Sequence, residues 1–110
     1  MYKKVKWGEF WMADLTGGVG SEQSGMRPVI VVQNDVGNGY SNVTIVCPLT
    51  TKLKNYSATH ITVSTLSTQS YIMCEQIRVV DKSRLKRKIC NINDTDSKLL
   101  KEKLKLTLDL

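Results

Sequence analysis

The apolar residues of this chain come in runs of three to five, and no run before residue 94 is long enough to make a helix. That pattern restricts the chain to a fold built mainly from short strands. Phe10-Trp11-Met12-Ala13 lies between Gly8 and Gly17-Gly18 and predicts the first strand. Val29-Ile30-Val31-Val32 is β-branched throughout and predicts a buried second strand. A third is expected over Val43 to Cys47, ending at Pro48. Thr59-His60-Ile61-Thr62-Val63 alternates polar and apolar, as a half-buried strand does. Tyr71-Ile72-Met73 and Ile77-Arg78-Val79-Val80 predict a fifth strand or a strand pair. Gly37-Asn38-Gly39 suits a hairpin turn between the second and third strands, and Thr16 to Met26, with four glycines, suits a mobile loop. Only the tail reads as helix: Asp94-Thr95-Asp96 supplies N-cap formers, and Leu100, Leu104 and Leu108 make one apolar stripe. The expected class is α+β, mainly β: a small antiparallel barrel with a C-terminal helix, in one domain over 1–110.

Sixteen Lys and Arg against ten Asp and Glu give a formal charge of +6. Such a balance favours a polyanion or an acidic protein as partner. The run Lys82, Arg84, Lys86, Arg87, Lys88 is the densest basic stretch, and it equally fits a solvated charged face. The three cysteines, Cys47, Cys74 and Cys90, are odd in number and form no CxxC pair, so neither a disulfide framework nor a zinc site is supported. Cys47 and Cys74 sit in apolar runs and should be buried and inert. No signal peptide and no membrane span is legible, and with unpaired thiols this points to the cytoplasm.

One histidine and scattered carboxylates cannot supply a spaced metal-ligand set, and there is no phosphate-cradling GxxxxGKS loop. An enzyme built from these residues would need chemistry without a metal or cofactor. RNA offers it, because the ribose 2′-OH is a nucleophile already beside the scissile phosphate. Arg27 is the best-placed cation, at the junction of the glycine-rich loop and a buried strand, with Pro28 holding its backbone extended. The same position also suits an ordinary strand-end arginine. Thr50 and Thr51 follow a strand and could donate to phosphate or simply shape a turn. Glu75 and Gln76 should point to opposite faces unless the strand twists or bulges, and Arg78 could pair with a surface acid. His60 could act as a base or be hydrogen-bonded structure. Trp7 and Trp11 could stack bases or pack in the core.

Taken in order, these residues resemble the MazF/PemK toxins. Gly8-Glu9-Phe10-Trp11-Met12-Ala13-Asp14-Leu15 is similar to the opening strand of that family. The stretch from Gly20-Ser21-Glu22-Gln23-Ser24-Gly25-Met26-Arg27-Pro28 to Gln33-Asn34 matches its central signature. Pro48-Leu49-Thr50, Thr59-His60 and Glu75-Gln76-Ile77-Arg78 follow at the family's intervals. The resemblance departs at Thr16-Gly17-Gly18, which replaces a proline-containing segment, and over Lys52 to Ala58. It implies an SH3-like (CcdB/PemK-type) barrel with added helices, assembled as a homodimer. It implies sequence-selective, metal-independent cleavage of single-stranded RNA, mainly mRNA, to 2′,3′-cyclic phosphate and 5′-hydroxyl ends, and a cognate acidic, MazE-like antitoxin as partner. Arg27 and Thr50 take the catalytic roles under it. Ser21, Glu22, Gln23, Thr51, His60, Ser70, Glu75, Gln76 and Arg78 are expected to contact substrate or antitoxin. Two other readings fit a related barrel: a CcdB-like gyrase poison that cuts nothing, and an inactive SH3-like binding module.

Overall fold

The computed structural model describes residues 3–53 and 58–110; of the Lys52–Ala58 segment, residues 54–57 lie outside the described residues. Seven strands and two α-helices follow in the order β1 (Glu9–Asp14), β2 (Met26–Val31), α1 (Asp35–Tyr40), β3 (Val43–Thr50), β4 (His60–Val63), β5 (Ser70–Met73), β6 (Arg78–Asp81), β7 (Leu85–Asn91) and α2 (Asp94–Leu108). Short 3₁₀ turns over Cys74–Gln76 and Lys82–Arg84 flank β6. The strands pair antiparallel in the order β4-β5-β3-β2-β1-β7, with β6 added to β3, giving the mainly-β sheet with a C-terminal helix that the sequence suggests.

The central strands are apolar on both faces because both are covered. Phe10, Ile30 and Cys47 enter a core with Ile61, Ile72 and Leu100 of α2. Their neighbours Trp11, Val29, Val31 and Val46 enter a second core with Val5, Val80 and Leu85. This explains the unbroken run Val29–Val32, since a strand buried on both sides loses its alternation. Cys47 and Cys74 are buried and free, and Cys90 is half-buried and free.

Four expectations need correction. Gly37-Asn38-Gly39 is no hairpin turn; it belongs to α1. Asn34 caps that helix by accepting from the Gly37 amide, and Asn38 is buried on hydrogen bonds to Gln33 and Thr44. A local cap and a buried polar anchor outweigh the turn signal.

The third strand does not stop at Pro48 but runs to Thr50. The Ile45 carbonyl accepts from Val32, so odd-numbered residues of β3 turn their amides toward β2, and Pro48 turns the other way. On that side β6 pairs only as far as Val46 and β5 only from Leu49, so the missing N–H of Pro48 falls in a gap and costs no ladder bond.

The basic stretch is not one solvated face. Lys82 is buried and donates to the Asn38 carbonyl, Arg84 donates to the carbonyls of Asp14 and Thr16, and only Lys86, Arg87 and Lys88 project from β7. Finally, the α2 cap is Asn93, one residue before the expected Asp94-Thr95-Asp96, and the stripe fades outward: Leu100 is fully buried, Leu104 half-buried and Leu108 exposed. No described helix is long and apolar enough to cross a membrane.

Candidate active site

The start of β2, the end of β3, the start of β4 and the 3₁₀ turn after β5 meet around one cavity of about 640 Å³. Of the residues singled out from sequence, Ser21, Glu22, Gln23, Arg27, Thr50, His60, Glu75 and Gln76 line it. Thr51 lies in an adjoining recess of about 310 Å³ that shares Arg27 and Thr50. Two residues lie outside both spaces. Ser70 is buried with its hydroxyl donating to the Thr68 carbonyl, and Arg78 is half-buried on β6 with one Nη atom lacking a partner. Ser24, Lys52 and Met73 also line the cavity, and sequence reasoning missed them. A lone lysine after a strand and a loop serine carry no local signal.

Arg27 stands opposite Ala13 of β1 at the mouth of β2. The β2–β3 ladder ends at Val29 and Pro48, and beyond that end Arg27 and Thr50 both line the cavity. Arg27 Nη1 donates to the carbonyl of Leu49, the residue before Thr50, at 3.2 Å, and Nε donates to Ser24 at 3.0 Å. Those bonds fix the plane of the guanidinium and use two of its five N–H groups, leaving the rest for an anion. The Thr50 hydroxyl donates to the Lys52 carbonyl at 3.1 Å and lies 3.2 Å from the Lys52 amide, so its position is held by its own turn.

Strand alternation would separate Glu75 from Gln76, yet both line the cavity. The reason is the 3₁₀ turn over Cys74–Gln76, closed by Ile77 N–H to the Cys74 carbonyl. A tight turn replaces the two-residue period of a strand and brings neighbours to one side. Glu75 takes hydrogen bonds from Thr59 Oγ1 at 2.8 Å and from His60 Nε2 at 2.6 Å. Burial pulls the Glu75 carboxyl up, but the Thr59 and His60 bonds outweigh it and hold the group below the usual carboxylate range. His60 is therefore a hydrogen-bond partner of Glu75, with Nδ1 buried and unpartnered. Among the described residues no group of three His, Cys, Asp or Glu side chains could hold a metal ion.

The loop between β1 and β2 closes one wall. Leu15 N–H to the Gly25 carbonyl shuts its neck, and Arg84 and Asp14 hold Thr16. Gly17, Gly20 and Gly25 all take positive φ, which side chains other than glycine rarely adopt. The cavity thus joins one fixed cation and a neighbouring hydroxyl to a wall of carboxylates, amides and hydroxyls. It can hold an anion at Arg27 and Thr50 and read polar edges beside it.

A family model described as PemK-like, MazF-like toxin of type II toxin–antitoxin system matches residues 6–108. The chain is 40% identical to Endoribonuclease EndoA of Bacillus subtilis over 111 residues, covering 96% of each. Its fold is similar to that of MazF from Deinococcus radiodurans, with a TM-score of 0.85 at 23% identity over 98% of this chain and 99% of that one. An endoribonuclease in complex with its cognate antitoxin, from a mycobacterial species, superposes with a TM-score of 0.82 at 17% identity over 96% of each chain. With a family match across almost its full length and a 40% identical relative, this chain belongs to the PemK-like, MazF-like toxins of type II toxin–antitoxin systems.

Proposed function

We propose that this toxin is an endoribonuclease that cleaves single-stranded RNA, mainly mRNA, with the substrate's own 2′-OH as nucleophile. The observation that carries the reading is the Arg27–Thr50 arrangement: a guanidinium fixed by two backbone carbonyls, one of them from Leu49, lines the same cavity as the Thr50 hydroxyl. In the reaction the 2′ oxygen attacks phosphorus and the bond to the 5′ oxygen breaks. The 2′ proton departs and the 5′ oxygen gains one, leaving a 2′,3′-cyclic phosphate and a 5′-hydroxyl. Extra negative charge builds on the phosphorane, and Arg27 meets it with the N–H groups it has not spent. Thr50 donates to the same phosphate after turning from Lys52. A guanidinium keeps its protons at neutral pH, so charge stabilisation is its main task and proton transfer a secondary one.

The remaining cavity wall suits base reading. Glu22 and Glu75 are acceptors for exocyclic amines, and Ser21 and Gln23 offer both donors and acceptors. Such edges are free only in an unpaired strand. His60 acts through Glu75, fixing its charge and direction. Thr51 in the adjoining recess serves the nucleotide on the other side of the phosphate.

A charge of +6 favours an acidic antitoxin segment as partner, and the solved relatives include antitoxin complexes from mycobacteria and Deinococcus. The exposed apolar side chains Val36, Tyr40 and Val79 give a second copy a surface to cover in a homodimer. The free thiols and an mRNA substrate fit action in the cytoplasm.

The test is incubation with a long single-stranded RNA in excess EDTA. Cleavage to cyclic-phosphate ends at a recurring short sequence is expected. No cleavage of any RNA, with inhibition of gyrase supercoiling instead, would replace this reading with the gyrase-poison one.

A further inference from the structure

Gln76 is spent on the protein itself. Its side-chain oxygen accepts from the Gln23 amide at 3.1 Å, and its nitrogen donates to the Ser21 carbonyl at 3.1 Å. The side-chain amide thus reads the loop backbone as a neighbouring strand would, with one donor and one acceptor. Gln76 comes from the far side of the cavity, on the 3₁₀ turn that also carries Glu75. That turn is anchored in its own right, since the Cys74 amide donates to the Thr59 carbonyl.

The loop's other ties lie elsewhere. The neck is closed at Leu15 and Gly25, the tip closes on itself through Val19 and Glu22, and Arg27 holds Ser24 on the near side. Among the described residues, Gln76 alone hydrogen-bonds loop residues 18–24 to the opposite wall. Gly17, Gly20 and Gly25, with positive φ and nothing near their absent side chains, are where the loop would swing if that tie were cut.

We infer that Gln76 is a positioning residue: it latches the β1–β2 loop across the cavity and so sets where Ser21, Glu22 and Gln23 stand for an incoming RNA strand. This rests on the endoribonuclease reading for its substrate, though the latch itself is a property of the free protein. It differs from a direct contact, because both hydrogen-bonding ends of the amide are already engaged.

Two variants and two readouts test it. In Gln76→Ala, hydrogen exchange at the Gln23 amide of the free protein should accelerate about tenfold, since two hydrogen bonds are lost. In RNA cleavage the same variant should raise KM about tenfold, with a smaller change in kcat, because Arg27 and Thr50 remain. Gln76→Glu keeps the reach. As a carboxylate it accepts from Gln23 but faces the Ser21 carbonyl with a second acceptor. As a carboxylic acid it donates to Ser21 again. Its KM relative to the native protein should therefore recover as pH falls from about 6 to about 4, through the ordinary Glu range. The comparison is made as a ratio because Glu22, Glu75, His60, Arg27 and Lys52 line the same cavity and are common to both proteins.

Unchanged exchange at Gln23 in Gln76→Ala would overturn the latch. So would faster exchange with no rise in KM, or a Gln76→Glu ratio that stays flat with pH. Failure of the native protein to cut RNA counts against the endoribonuclease reading alone, because the exchange measurement needs no RNA.

Discussion

At Arg27 the plane of the guanidinium is set before any ligand arrives, by the carbonyls of Ser24 and Leu49. A preset donor needs no reorganisation when charge develops, and removing one such donor commonly costs about a hundredfold to a thousandfold in rate. Arg27→Ala should therefore fold, bind RNA weakly and lose that much in single-turnover cleavage. Thr50→Val keeps the shape and deletes the donor, and should lose about as much, whereas Thr50→Ser keeps the hydroxyl and most of the rate. Equal rates for the serine and valine variants would take the hydroxyl out of the reaction. Local sequence left Arg27 and Thr50 open, since a strand-end arginine and a turn threonine fit the same positions; the family resemblance singled them out, and both line one cavity. The Glu75–His60 pair was not legible: the residues are 15 apart and meet only through β4–β5 pairing, where His60 stands opposite Met73. Nor was the shared orientation of Glu75 and Gln76, since a three-residue turn leaves no periodic signal.

Among the elements, α2 is joined to the sheet by an anchor that the leucine stripe does not reveal. Asp96 is buried and accepts four hydrogen bonds, from the amides and hydroxyls of Ser64 and Thr65. Asn93 completes the joint by capping the helix through the Asp96 amide. Burial raises the Asp96 carboxyl, but the bonds from Thr65 and Ser64 prevail and hold it below its ordinary range. A depressed folded pKa contributes stability that is complete above the unfolded value, near about 4, and is lost as pH falls through the folded one. Asp96→Ala should cost about 2–3 kcal/mol in urea unfolding near neutral pH. The gap from the native protein should shrink toward pH 3. A gap that is constant with pH would mean the carboxylate charge is not what holds the helix. Elements were legible where burial set the pattern, as in β2 and in α2 around Leu100. They were hidden where a side-chain cap or a change of strand partner decided the outcome, as in α1 and at Pro48. They were hidden again in β7, whose Lys86-Arg87-Lys88 run is an exposed, charged edge with no apolar alternation.

For the molecule as a whole, the two cores hold β1, β2 and β3 from both faces, and this lets the ends of those strands present polar groups without loosening the sheet. Among the described residues, Arg27 and Lys52 are cations on the cavity, whereas Glu22 and Glu75 are its acids. Under the proposed reading a polyanion is drawn in by the net charge of +6 and engaged at Arg27, with its bases left to the acidic wall. In the proposed reaction the nucleophile is the ribose hydroxyl next to the scissile phosphate, so the reading stands or falls with that group. The most direct measurement takes an RNA cut at a mapped position and replaces only that 2′-OH by hydrogen. Ribose-assisted scission predicts that binding persists and cleavage at that linkage vanishes, while other sites in the same strand are still cut. Cleavage at the deoxy position at an undiminished rate would mean that water or a protein group is the nucleophile, and Arg27 and Thr50 would then need a different role.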